Sequence, residues 1–319
     1  MKIKSFLLLS IPLALTLGAC QDNTAEAPAT EETPEETSTE TASDAPYTVT
    51  DDRGEELEFE QAPETIVSLI PSNTEIVFAL DAGDQLVGVT DYDNYPEAAQ
   101  DIERVSDSVE FNAEKIIQLD PDVVLAYSTG EAPPALSQLE DADIPVFVIE
   151  SATSFDEVYG DIEQIASILA KEEKGAEVIE GIQTQIEDVQ ERLAAVEEQK
   201  EVYVEISPSP EIYTTGKSTF MQEILDHAQV TNAFEDLEGW PSISEEEVIT
   251  RDPEVILTTV SYVEDAVGDI EARDSWSAVE AIENDEVHFI DSDITSRPGP
   301  RIGEAVQLVA ETVYPELME

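Results

Sequence analysis

The chain has one cysteine, two histidines, two tryptophans and little positive charge. A lone cysteine, Cys20, excludes a disulfide framework, and His227 and His288 are too few for a histidine-rich zinc or manganese site. After the first nineteen residues only five lysines and seven arginines stand against 74 acids, and the net charge at pH 7 is −60. Nucleic acid is thereby excluded as a partner, because phosphate binding needs clustered cations. The acidity reads as a solvated surface suited to a saline or alkaline medium, with an acidic binding face as the lesser alternative. No catalytic residue can be assigned: carboxylate pairs cannot be singled out among so many acids, and no enzyme motif is present. Thr215-Gly216-Lys217-Ser218 imitates part of a phosphate loop, but Glu211 occupies the place of the required first glycine.

What the chain does have is a copy of itself. Residues 112–125 read NAEKIIQLDPDVVL and residues 244–257 read SEEEVITRDPEVIL. Asn112 and Ser244 are N-caps whose side-chain oxygens accept from the first turn. Ile116, Ile117 and Leu119 in one copy, and Val248 and Ile249 in the other, are expected on the buried side of a short helix. Asp120-Pro121 and Asp252-Pro253 end each helix, since a residue before proline leaves the α region. Val123 to Leu125 and Val255 to Leu257 then read as strands buried on both faces. Further echoes pair Val287 to Ser292 with Val146 to Ser151, and Ser207-Pro208-Ser209 with Ile70-Pro71-Ser72. With 319 residues and 41% apolar content, two α/β lobes with parallel sheets are expected.

The N-terminus reads as an address and a tether. Lys2 and Lys4 precede an apolar run from Phe6 to Leu17 and then Gly18-Ala19-Cys20, a secretory signal spanning 1–19. Leu17 to Cys20 resembles a bacterial lipobox, which implies lipid attachment to Cys20 and a lipid-anchored protein outside the cell membrane. Residues 20–46, rich in Thr, Glu, Ala and Pro, cannot bury a core and form an acidic, disordered leash.

A first lobe is expected over 47–153. Ile66 to Ile70 is a strand, Pro71 to Glu75 turns it into a helix from Ile76 to Leu80, and Leu86 to Val89 is the next strand. Ligands of open α/β sheets collect beyond strand carboxyl ends, where Ser72, Asn73, Tyr92 and Tyr95 fall. A linking helix over 154–173 starts from a capping-box pattern, Ser154 and Glu157, and about eighteen residues would span roughly 27 Å. The second lobe, 174–319, holds His227 and His288, both read as structural. Trp276 reads as core. Trp240, in Glu238-Gly239-Trp240-Pro241, is a large flat side chain in a loop between polar segments. Asp293 to Arg301 places two arginines beside Pro298-Gly299-Pro300 in an arginine-poor chain, and a rigidly aimed guanidinium can bind carboxylates, phosphates or amides.

The run SLIPSNTEIVFALDAGDQLVGVTDYDNYPEAA, followed by NAEKIIQLDPDVVLAY, resembles the solute-binding proteins of ABC importers for cobalamin and ferric siderophores, most of all the cobalamin-binding members. The resemblance runs from about Thr65 to Leu317. It implies Rossmann-like lobes joined by a single long helix, and a monomer with a ligand cleft between the lobes, no intrinsic cofactor and no resident metal. It implies further that Trp240 lines the cleft and that Asp293 and Arg297 are its polar residues, with Ser72, Asn73, Tyr92 and Tyr127 completing the ligand-binding set. Arg301 either joins them or anchors the final helix. Glu114 and Glu246 have a helix-dipole reading; the resemblance adds docking onto arginines of an ABC permease dimer served by ATPase subunits. Glu245 and Glu247 are alternatives to Glu246. The implied ligand is a corrinoid. Ser108 stands where cobalamin-binding relatives carry a cleft tryptophan, and Tyr127 replaces a second, so a hydroxamate-type ferric siderophore is the close alternative and heme, lacking a clear axial ligand, the next. An enzyme or metallocluster handler would need clustered histidines or cysteines, and a purely structural surface lipoprotein would have no interlobe pocket.

Overall fold

The computed structural model describes residues 45–107, 111–129 and 136–318. Expectations placed on the signal segment 1–19, on Cys20, on the tether up to residue 44 and on Ser108 lie outside the described residues.

An antiparallel hairpin of β1 (Tyr47–Thr50) and β2 (Glu56–Phe59) comes first. There follow β3 (Ile66–Ser68), α1 (Pro71–Ala79), β4 (Leu86–Thr90), β5 (Arg104–Ser106), α2 (Ala113–Leu119), β6 (Val123–Ser128), α3 (Leu136–Glu140) and β7 (Val146–Glu150). These strands form one sheet in the order β5-β4-β3-β6-β7, parallel throughout. Two helices, α4 (Phe155–Ile168) and α5 (Glu172–Arg192), lead to β8 (Glu201–Glu205), β9 (Ile212–Tyr213), α6 (Phe220–His227), β10 (Thr231–Asn232), β11 (Ser242–Ile243) and α7 (Glu245–Arg251). The chain ends with β12 (Val255–Thr258), α8 (Ala266–Glu271), α9 (Glu280–Glu283), β13 (Val287–Phe289), α10 (Ser292–Thr295), α11 (Ile302–Val313) and α12 (Pro315–Met318). A second parallel sheet has the order β10-β8-β12-β13, and β9 pairs with β11 beside it. The expected α/β architecture of two parallel-sheet lobes is the observed one.

The repeated unit folds the same way twice. Asn112 Oδ1 accepts from Lys115 N–H at 3.0 Å, and Ser244 and Glu247 form a reciprocal capping box. Asp120 and Asp252 leave the helix in the left-handed region at φ 49°, ψ 55° and φ 50°, ψ 58°. Val123, Val124 and Leu125, like Val255, Ile256 and Leu257, are wholly buried. One expectation fails in both copies: Ile116 and Val248 are buried, but Ile117 and Ile249 stand 39% and 36% exposed. Successive helical residues are about 100° apart, so a seven-residue helix that commits Ile116 or Val248 to the core turns the next residue outward. Helix α1 also starts earlier than expected, with Pro71 in its first turn, where a missing N–H costs nothing and φ is already helical.

Helix α4 is fourteen residues long, shorter than expected. Ser154 Oγ accepts from Glu157 N–H, while Glu157 Oε2 accepts from Thr153 N–H at 2.6 Å, so the box closes one residue further back. At its start, Phe155 stacks on His227 with ring centroids 4.8 Å apart and its N–H donates to Glu223 of α6. At its end, the Ile168 carbonyl accepts from Tyr47 Oη at 2.6 Å. The helix therefore touches the second sheet's helices with one end and the first lobe's hairpin with the other. One buried apolar cluster continues from β3 and α1 through α4 and α5 to α6 and α11, so the two sheets share a core face. Close-packed side chains there resist wide separation of the lobes. Separate clusters cover the far face of each sheet, and Trp276 is fully buried in the second of them.

Asp161 lies on the inner side of α4, 7% exposed. Burial, with Asp52 and Glu157 nearby, pushes its carboxyl up to about 8. The unfolded group ionises near pH ~4, so its contribution makes folding less favourable as pH rises from about 4 to about 8 and is constant above. Asp161→Asn is expected to stabilise the protein at about pH 9 by on the order of 2 kcal/mol and to have little effect at about pH 5. Urea unfolding at the two pH values checks this; equal changes at both would refute it.

Candidate functional site

In the first sheet the strand order reverses between β3 and β6, whose chains cross over to opposite sides. Open α/β sheets form a crevice beyond the carboxyl ends of such a pair. The segments leaving there are Ile70-Pro71-Ser72 and Tyr127-Ser128, and the β4 exit beside them carries Tyr92. That exit is fixed from within: Asp93 Oδ2 accepts from Thr90 N–H at 2.7 Å, and Arg104 donates to the carbonyls of Thr90 and Asp93. From the second lobe, β13 delivers α10 and the Arg297-Pro298-Gly299-Pro300-Arg301 turn to the same place.

Between them lies a cavity of about 360 Å³ lined by Ile70, Pro71, Ser72, Tyr92 and Tyr127 from one lobe and by Ser292, Asp293, Ser296, Arg297 and Pro298 from the other. Five of the seven expected ligand residues, Ser72, Tyr92, Tyr127, Asp293 and Arg297, thus line one cavity. Asn73 is not in the lining; it is 2% exposed in α1, and its Nδ2 has no hydrogen-bond partner among the described residues. Trp240 does not line this cavity either. It stands 52% exposed in the loop before β11, which is tied down by the Gly216 N–H to Gly239 carbonyl bond of 2.8 Å. Gly216 is required there, because a Cβ would come within 2.4 Å of the Leu237 carbonyl oxygen.

The two arginines are already engaged, and by the opposite lobe. Arg301 grips the buried carboxylate of Glu75 through Nε at 2.7 Å and Nη2 at 2.6 Å, stacks 4.2 Å over the Tyr95 ring and donates to the Asp293 carbonyl. Burial works against its charge, but Glu75 outweighs burial and raises its pKa. Of its two readings, Arg301 takes the anchoring one. Arg297 donates through Nη1 to Glu75 at 3.0 Å and to Asn94 Oδ1 at 2.9 Å, and through Nη2 to the Tyr92 carbonyl at 3.1 Å, with Asp293 2.8 Å away. Asn94 Nδ2 closes the ring onto Asp293 Oδ2 at 2.6 Å. Glu75 and Asn94 carried no assigned role in the sequence. The two clustered arginines called for a carboxylate partner, but nothing in the sequence singled out Glu75 among 74 acids. Among the described residues no group of three or more His, Cys, Asp or Glu side chains could hold a metal ion.

Residues 66–294 match the model of the family described as periplasmic binding protein. The chain belongs to that family. Its relatives include an uncharacterized ABC transporter substrate-binding lipoprotein, YvrC, of Bacillus subtilis (strain 168), 40% identical over 85% of this chain and 86% of that protein. A vitamin B12-binding protein of Vibrio cholerae is 31% identical over 77% of this chain and 87% of its own length. Among solved structures, a possible iron-binding (periplasmic solute-binding) protein from Staphylococcus epidermidis superposes with a TM-score of 0.73 at 31% identity, covering 80% of this chain and all of that one. The parallel-sheet lobes described above are therefore those of a periplasmic binding protein, and the cavity lies where its two halves meet.

The clamp makes a graded expectation. Glu75→Ala leaves two arginines facing a dry contact without their shared carboxylate and is expected to cost about 3 kcal/mol or more. Asn94→Ala, at the wetter rim of the same network, should cost less than about 1.5 kcal/mol. Urea unfolding of both variants checks this, and equal losses would contradict the assignment of Glu75 as the centre of the network.

Proposed function

We propose that this binding protein captures a corrinoid, or a similarly bulky cofactor-like ligand, between its lobes and delivers it to the permease of an ABC importer. The observation that carries the reading is the cavity at the strand carboxyl ends, lined by Ile70, Pro71, Tyr92 and Tyr127 of one lobe and by Asp293, Arg297 and Pro298 of the other, with serines between them. Large concave ligand sites are mostly apolar and aromatic with few oriented polar groups. In this reading Ser72, Tyr92, Tyr127, Asp293 and Arg297 contact the ligand, the partnerless amide of Asn73 supplies a buried donor behind them, and Trp240 forms an outer wall. At about 360 Å³ the cavity is near the lower end of ligand sites. A corrinoid must therefore part the Asn94–Asp293 rim or leave some of itself outside. The vitamin B12-binding relative supports this ligand class.

A hydroxamate-type ferric siderophore is the second reading. It is favoured by the shortage of free positive charge: Arg297, the only cation among the described lining residues, already faces Glu75 and Asp293, so an anionic catecholate complex would find little to bind.

Delivery follows the same reading. Cys20, lipidated behind the 20–46 leash, would hold the protein at the outer face of the membrane, in keeping with the relative named as a lipoprotein. The lobes, 47–153 and 174–319 with the link 154–173 between them, would act as a monomer on a permease dimer. Glu114 and Glu246 would be the docking carboxylates. Glu245 accepts from Ser275 Oγ at 2.8 Å and Glu247 is held in its capping box, which leaves Glu246 as the outward acid of the three.

Titration of tryptophan fluorescence with cyanocobalamin, and then with a ferric hydroxamate, tests the proposal. Quenching at micromolar concentration by either is expected, with Arg297→Ala weakening it about tenfold or more. Absence of quenching by both would reject the ligand class.

A further inference from the structure

Eight large apolar side chains stand exposed among the described residues; six are aromatic, and the two aliphatic ones are Ile117 and Ile249. Scattered exposed aliphatics need no explanation. These two are different, because they occupy the same position of the duplicated helix, each following the residue buried in the core. Their helices are capped alike at the start and leave through the same left-handed aspartate, so both isoleucines are presented in the same way. Other positions of the two helices have diverged to Lys115 and Glu247, or Leu119 and Arg251. Glu114 and Glu246 lie three residues earlier, the spacing that makes helical surface neighbours. Each half of the molecule therefore carries the same two-part patch, an outward carboxylate beside an aliphatic knob.

We propose that Ile117 and Ile249 are the apolar anchors of a docking face that seats on two copies of one membrane subunit, each offering a cation beside an apolar socket. This rests on the importer reading above and adds to its carboxylates the residues that would bury area. Two matching half-sites within one chain fit a partner with twofold symmetry, since each half then meets an identical surface. A second copy of this chain is the disfavoured occupant, because a net charge of −60 opposes self-association.

The test measures binding of the full chain to its purified permease–ATPase complex in lipid nanodiscs. Ile117→Ser and Ile249→Ser are each expected to weaken binding roughly tenfold and together about a hundredfold, as distant half-sites should add. Each side chain is about three-fifths covered, so a modest fall in the unfolding midpoint is expected, and binding is measured well below that midpoint, where both variants are folded. If Glu114→Arg with Glu246→Arg weakens binding while the serine variants do not, the anchor proposal fails and the importer reading stands. If neither pair matters, the docking reading falls as well. A dimer of this chain in sedimentation, dissociated by the serine variants, would also overturn the proposal by making a second copy the occupant.

Discussion

A carboxylate taken out of water must find cations, and Glu75 finds two, both from the other half of the chain. It sits in α1, just beyond the carboxyl end of β3, and receives Arg301 through two nitrogens and Arg297 through one. Removing any partner would strand a charge in a dry contact, which is why such a cluster fixes geometry more than it adds stability. It also partitions the space between the lobes. Arg297 lines the front cavity with Tyr92 and Tyr127, whereas Glu75 and Arg301 line a rear cavity against Val178, Ile182 and Gln185 of α5. The clamp is the wall between them, and the front cavity is what the lobes leave open on one side of it.

The shared core and the clamp act together. The apolar cluster through α1, α4, α5 and α11 holds the rear of the lobes in register, while the front rim, where Asn94 meets Asp293 and Arg297, is held by polar contacts alone. Polar contacts that water can replace part at less cost than a buried apolar core, so opening is cheapest at the front. The two sheets also point their strand ends at a common gap, so that internal duplication yields a single site from two copies of one unit. The same duplication repeats the outward face of α2 in α7.

Much of this was legible in the residues. Asn112 and Ser244, the two Asp-Pro stops and the β-branched runs after them specify helix and strand through local chemistry alone, and those elements formed as read. The placement of Ser72 and Tyr92 at one cavity was legible because both follow strand carboxyl ends, and that of Tyr127, Asp293 and Arg297 through the family resemblance. What stayed hidden depends on contacts across the chain. Glu75 is one acid among 74, and its partner Arg297 lies 222 residues away, a pairing no local pattern encodes. The outward turn of Ile117 and Ile249 was misread because seven residues are too few to define a helical face. Trp240, expected in the cleft lining, stands half exposed in the loop before β11, outside the front cavity. Residues that answer to the backbone beside them could be read, and those that answer to a distant side chain could not.

The claim on which the account rests is that cargo sits between the two sheets, in front of the Glu75 clamp. A crystal structure of the protein grown with saturating cyanocobalamin tests it most directly. Ligand density is expected between Tyr92 and Tyr127 on one side and Arg297 on the other, with the Glu75 to Arg301 contact intact behind it. Density on an outer face of either lobe, or behind the clamp against α5, would contradict it.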